Sequence, residues 1–101
     1  MGDEIFIKER FENNPTNVSY GIDYAGRLLK DNRQREAVQV LLKVIRVEDS
    51  NKLAYRQIGE IYYEMDDLEL ASDAYEELYL LDPRDIKTAI KMLLNYIKIK
   101  E

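Results

Sequence analysis

Tyr55-Arg56-Gln57-Ile58-Gly59-Glu60-Ile61-Tyr62, followed by Ala71-Ser72-Asp73-Ala74-Tyr75 and then by Pro83, is the stretch whose reading decides the fold. Tyr55, Ile58, Gly59 and Tyr62 recur at i, i+3, i+4 and i+7, and Ala71, Ala74, Tyr75 and Leu78 do the same. That spacing puts each set on one face of a helix and does not fit the alternation of a strand. The polar break between the two sets is two or three residues long, so the helices it joins must lie antiparallel as a hairpin. Asp66, with Glu69 three residues on, reads as an acidic cap at the start of the second helix.

Working outward, the pattern repeats at 34 residues. Pro15, Asp49 and Pro83 fall 34 apart, each in a polar break. Tyr24 aligns with Ile58, Ala25 with Gly59, Leu28 with Tyr62, Ala37 with Ala71 and Leu41 with Tyr75, so small residues match small ones and large match large. The frame predicts helices over 18–31, 34–47, 52–65 and 68–81, in one domain divided at 1–17, 18–51, 52–85 and 86–101. The first segment supplies a single second-type helix and the last a single first-type helix, which act as caps or as parts of further repeats. Asn32 has the character of a residue that closes a helix in the left-handed conformation. Asn17 precedes a helix and reads as its cap, although Asn17-Val18-Ser19 also matches a glycosylation acceptor.

Composition narrows the function. The chain has 101 residues, 46% hydrophobic and 35% charged, with no cysteine and no histidine. Disulfides, Cys/His metal sites and Ser-His or Cys-His nucleophile pairs are therefore excluded. Asp66-Asp67-x-Glu69 lacks the glycine and the later glutamate of a calcium loop, and no glycine-rich phosphate loop is present. The expectation is no enzyme activity, no metal and no cofactor. The net charge of -5 disfavours nucleic acid and anionic lipid as partners. It is unevenly placed: +1 over residues 1–47, -9 over 48–85 and +3 over 86–101. The longest apolar run, Leu78 to Leu81, is too short to span a bilayer, and the start Met1-Gly2-Asp3-Glu4-Ile5-Phe6 has no secretory pattern. A cytoplasmic protein without membrane insertion is expected.

The second unit resembles a tetratricopeptide repeat, whose pattern is W-x2-L-G-x2-Y, then A-x3-F, then P. Here it runs Tyr55-x2-Ile58-Gly59-x2-Tyr62, Ala71-x3-Tyr75, Pro83, with Gly59 and Ala71 as the small residues that let the two helices approach. Leu78 departs from it, standing where the family usually has a small residue. The first unit is weaker: Gly21 replaces the leading aromatic and Asp49 the proline. Taken in register, the resemblance covers essentially the whole chain. It implies an all-α fold, a right-handed superhelix of antiparallel helix pairs with about six helices.

The resemblance also implies a concave groove lined by the first helix of each pair and holding a partner peptide or amphipathic helix. On that basis the groove residues are Ile22 and Leu29 in the first unit, Leu53, Arg56, Gln57, Glu60, Tyr63 and Glu64 in the second, and Lys87, Ile90, Lys91 and Leu94 in the last helix. Relatives that clamp a C-terminal carboxylate use Lys and Asn in a first helix, Asn in the next and two basic residues in the third. Lys87 and Lys91 match the last pair and Gln57 partly the middle, but Ile22 and Gly26 stand in the first two places, which removes half the donors. The functional expectation is a protein-interaction scaffold; a small chaperone shielding a hydrophobic client segment is the other reading. Finally, apolar residues surround most of the last helix. Met92, Leu93 and Tyr96 are expected on its outer side, facing another copy, a partner or a following helix.

Overall fold

The computed structural model describes residues 2–101, with side chains from Ile5 onward. Six helices occupy the described residues: α1 Gly2–Asn13, α2 Val18–Lys30, α3 Gln34–Val47, α4 Lys52–Glu64, α5 Leu68–Leu81 and α6 Ile86–Lys100. The four central helices fall within a residue of the bounds that the 34-residue frame predicts. The chain forms two compact units, one ending at Ala54 and one from Tyr55 to Glu101.

In the first unit α2 packs on α3 and α1 on α2. Asn17 caps α2, its Oδ1 accepting from the Tyr20 amide at 3.1 Å. The hairpin turns at Asn32, which has φ 59° and ends α2 as its residue type predicts. Tyr24, Ala25 and Leu28 of α2 and Ala37, Leu41 and Val44 of α3 are buried together. Gly21 is the contact point of three helices: a Cβ there would lie 2.6 Å from Val44 Cγ2 and 3.1 Å from Phe11 Cε1. The missing leading aromatic of the first unit thus has a structural reason, since its place is taken by Phe11 and Val44. Phe11 and Tyr24 stand 5.9 Å apart, tilted by 42°. Arg10 fastens α1 further, with an ion pair to Asp23 at 3.2 Å and its guanidinium 4.3 Å from the Tyr20 ring centre.

In the second unit the hairpin of α4 and α5 closes on Gly59, where a Cβ would lie 2.5 Å from Cε1 of the Tyr75 ring. Small against large is the pairing the repeat pattern anticipates. The turn differs from the expected cap. Asp66 has φ 63° and closes α4 in the left-handed conformation; Asp67 is the N-cap of α5 and makes no side-chain capping bond. The helix-ending role thus falls on Asp66 because it sits where Asn32 sits one hairpin earlier.

Helix α6 begins at Asp85, whose Oδ1 accepts from the Lys87 amide at 3.0 Å and Oδ2 from the Thr88 hydroxyl at 2.9 Å. Those bonds, the Thr88 hydroxyl first, hold the Asp85 carboxyl below its ordinary pKa. α6 packs on α5, and its most buried residues are polar: Thr88 at 1% and Asn95 at 0% exposure. Asn95 Nδ2 donates to the Leu68 carbonyl at 2.9 Å and to Ser72 Oγ at 2.7 Å, while its Oδ1 is buried without a hydrogen-bond partner. Ile86, Ile90, Leu93, Leu94, Tyr96 and Ile97 are exposed. Of the three residues expected on the outer side, Leu93 and Tyr96 are exposed and Met92 is half-buried. The Tyr96 hydroxyl donates to Glu76 Oε1 of α5 at 2.7 Å.

Candidate functional site

Within the second unit, helical spacing aligns Arg56, Glu60 and Tyr63 along one side of α4 and Lys87, Lys91, Leu94 and Lys98 along one side of α6. Three ion pairs join the two stripes and their flanks. Arg56 reaches Asp85 Oδ2 at 3.8 Å, Lys91 pairs with Glu60 Oε1, and Lys98 meets Asp66 Oδ1 at 3.5 Å. The Lys98 ammonium also stands 4.4 Å from the centre of the Tyr63 ring. Each pair is partly exposed, so each contributes at most about 1 kcal/mol; their effect is to set the spacing of α4 and α6.

Between these helices lies a cavity of about 240 Å³, lined by Glu60, Tyr63, Glu64, Tyr75, Lys91 and Leu94. That is below the roughly 300–1,000 Å³ of ordinary small-molecule sites and is room for one large side chain. Its walls are the Tyr63 and Tyr75 rings and Leu94; its polar groups are two carboxylates and one lysine already bound to a carboxylate. Burial, then the charge of Glu60 and the neighbouring Tyr63 and Glu64, push the Tyr75 phenol up to about 12, so at neutral pH it is a hydroxyl and not a phenolate. Among the described residues no cluster of carboxylates has the makings of a metal site.

Of the groove residues read from the sequence, Glu60, Tyr63, Glu64, Lys91 and Leu94 come together around this cavity. Arg56 borders α6 through Asp85. Gln57 is half-buried, with its Oε1 buried and without a hydrogen-bond partner. Lys87 and Ile90 are exposed on α6. Ile22 and Leu29 are half-buried on α2, and Leu53 is exposed at the head of α4; these three belong to the first unit. Sequence reading missed Tyr75 as a lining residue, because a residue that fills the hairpin core gave no sign that its ring edge reaches a cavity. It missed Thr88 and Asn95 too, although the frame holds the signal: they stand in the registers of Ala54 and Ile61, both buried.

No family model matches the chain, and no curated protein matches it. Solved structures do. MamA superposes with a TM-score of 0.84 at 20% identity, covering 94% of this chain and 56% of that one. The first TPR of Spaghetti (RPAP3), bound to the HSP90 peptide SRMEEVD, gives 0.85 at 16% identity, over 94% of this chain and 75% of that one. YrrB, described as a TPR protein with an unusual peptide-binding site, gives 0.80 at 18% identity, over 93% of this chain and 48% of that one. The chain spans just over half the length of the MamA structure and about half that of YrrB. Among the described residues no helix is long and apolar enough to cross a membrane. With six helices at the predicted 34-residue spacing, and with these superpositions, the chain has the all-α helical-solenoid fold of tetratricopeptide repeat proteins.

Proposed function

We propose that this protein is a non-enzymatic protein-interaction module, a scaffold in a larger assembly, whose binding site is the cavity between α4 and α6. The observation that carries the reading is the lining: two tyrosine rings and Leu94 form a pocket the size of one side chain, with Glu60 and Glu64 at it. A partner segment anchors there by an aromatic or branched aliphatic side chain, and a lysine or arginine next to it meets the rim formed by Glu60 and Glu64, where Lys91 balances one of the two negative charges. RPAP3 and YrrB support the general role, being structures with a bound peptide and with a peptide-binding site respectively.

Capture of a C-terminal carboxylate is disfavoured on two counts. Lys91 is engaged by Glu60, and the cavity it borders is acidic. Selection from a displayed random-peptide library tests both statements. The wild type should enrich peptides combining an aromatic or aliphatic anchor with an adjacent basic residue, and Tyr63→Asp should lose them. Enrichment of peptides with acidic C-termini, or equal enrichment by the Tyr63→Asp variant, would overturn the assignment.

A further inference from the structure

The exposed side of α6 carries an ordered pattern. Ile86, Ile90, Leu93, Ile97 and Lys100 follow one another at intervals of 4, 3, 4 and 3, the spacing of a coiled-coil seam. Ile90 and Ile97 take the a positions and Ile86 and Leu93 the d positions, with Lys100 at the final d. The first four are 73%, 52%, 59% and 50% exposed in chain order, although α6 is buried on its other side through Thr88 and Asn95. A helix that packs inward by polar residues and presents an isoleucine-leucine seam outward is arranged for a second helix. Because α6 is already folded against α5, two heptads suffice; no helix has to be nucleated on association.

We infer that this seam is a homodimer interface, in which α6 of one copy packs antiparallel on α6 of a second copy about a two-fold axis. Charge decides the direction. In a parallel pair Lys100 would stand on Lys100 of the other copy inside the seam. In an antiparallel pair Ile90 meets Leu93, Ile86 meets Ile97, and Lys100 falls beside the start of the other helix, where Asp82 and Asp85 outnumber Arg84. The flanks agree. Ala89 lies across from Tyr96, small against large, and Lys87 across from Leu94, so no like charges oppose. Taking about 200 Å² as the full area of each such side chain, the four seam residues with Leu94 and Tyr96 expose on the order of 600 Å² per copy, so that a pair buries about 1,200 Å², the lower end of a specific interface. An interface at that lower end fits a reversible dimer whose formation depends on concentration. The partner-binding reading of the α4–α6 cavity does not rest on it: the four seam residues do not line that cavity, and of the flanking residues counted Leu94 is shared with it.

Sedimentation velocity of the full chain across nanomolar to hundreds of micromolar concentrations should show the apparent mass rise from one chain to two. Leu93→Lys should shift that transition to at least about tenfold higher concentration while far-UV circular dichroism keeps its helix content, because the residue touches solvent and not the core. Direction is read separately. The chain has no cysteine, so chains carrying Ile90→Cys and Leu93→Cys can be mixed and oxidised. An antiparallel pair gives more disulfide in the mixture than either variant gives alone. A wild type that stays a monomer throughout overturns the dimer, as does a Leu93→Lys variant that dimerises as well as wild type. Preferential linking of Ile90→Cys to itself overturns the antiparallel geometry.

Discussion

Replacing Gly59 by alanine should destabilise the second unit, against the ordinary rule that alanine improves a helix interior. The new Cβ would lie 2.5, 2.8 and 3.0 Å from Cε1, Cδ1 and Cζ of Tyr75, where carbon atoms normally rest about 3.5–4.0 Å apart. Tyr75 is 3% exposed, and its room to yield lies toward the small cavity it borders, where moving would give up its packing against the hairpin. Overpacking of this kind costs about 1–3 kcal/mol, while the gain in helix propensity returns about 0.5–1 kcal/mol. The balance is a net loss of up to about 2.5 kcal/mol, which lowers the melting temperature by as much as several degrees in a chain of this size. Gly26 supplies the control. It lies in a helix interior with nothing within 4 Å of the added carbon, so Gly26→Ala should stabilise by about 0.5–1 kcal/mol. Thermal and urea unfolding followed at 222 nm reads both. If Gly59→Ala equals or exceeds the wild type in stability, the close approach of Tyr75 does not govern the hairpin. Trimming the ring in the same background, with Tyr75→Leu, should cost less than the two single changes together, which marks the effect as a contact between those residues.

Three other outcomes follow from particular contacts. Asn95→Ala removes the bonds to the Leu68 carbonyl and Ser72 hydroxyl and should cost about 1–3 kcal/mol, with faster amide exchange concentrated in α6; unchanged exchange there would contradict its role as the anchor of that helix. Asn17→Ala should cost about 1 kcal/mol through loss of the α2 cap, and Asn17→Asp much less, as measured by urea unfolding. The ionisable groups act at opposite ends of the pH scale. Asp85 has a folded pKa below its unfolded one, so its contribution is present above the ordinary carboxyl range and fades as pH falls below about 4; Asp85→Asn should flatten the acid limb of the stability curve. Tyr75 has a folded pKa raised from 10.0 to about 12, so its contribution is intact below 10 and is lost as pH rises through that window. Absorbance at 295 nm should show tyrosines titrating late, Tyr96 among them because its hydroxyl donates to Glu76, and Tyr75→Phe should lower the late amplitude by one tyrosine.

Helix limits were legible in the sequence because their causes are local. Asn32 takes positive φ at the end of α2 and Asn17 caps that helix, as their residue types indicate, whereas Asp66, read as a cap of α5, instead ends α4 with positive φ. Pairings of small with large residues were legible as well. Gly59 with Tyr75 needs only the period to be recognised, since the repeat brings the same two positions together in each hairpin. The cavity was half legible: Glu60, Tyr63, Glu64, Lys91 and Leu94 share helix faces that spacing reveals, whereas the reach of the Tyr75 ring edge does not follow from spacing.

What periodicity determined alone was therefore where the helices begin and end and which positions inside a hairpin touch, because backbone capping and the 3.6-residue turn act within a few residues of chain. The tertiary structure decided which side of α6 is inside. A helix with apolar residues around most of its circumference has no preferred face of its own. Its orientation is set by hydrogen bonds from Asn95 to the Leu68 carbonyl and Ser72, and from Tyr96 to Glu76, on a neighbour 20 to 27 residues away in sequence. The Asn95 bonds hold that polar residue inward and leave the isoleucine-leucine seam in water, an orientation that the periodicity of α6 taken alone does not reveal because burial depends on what the neighbouring helix offers.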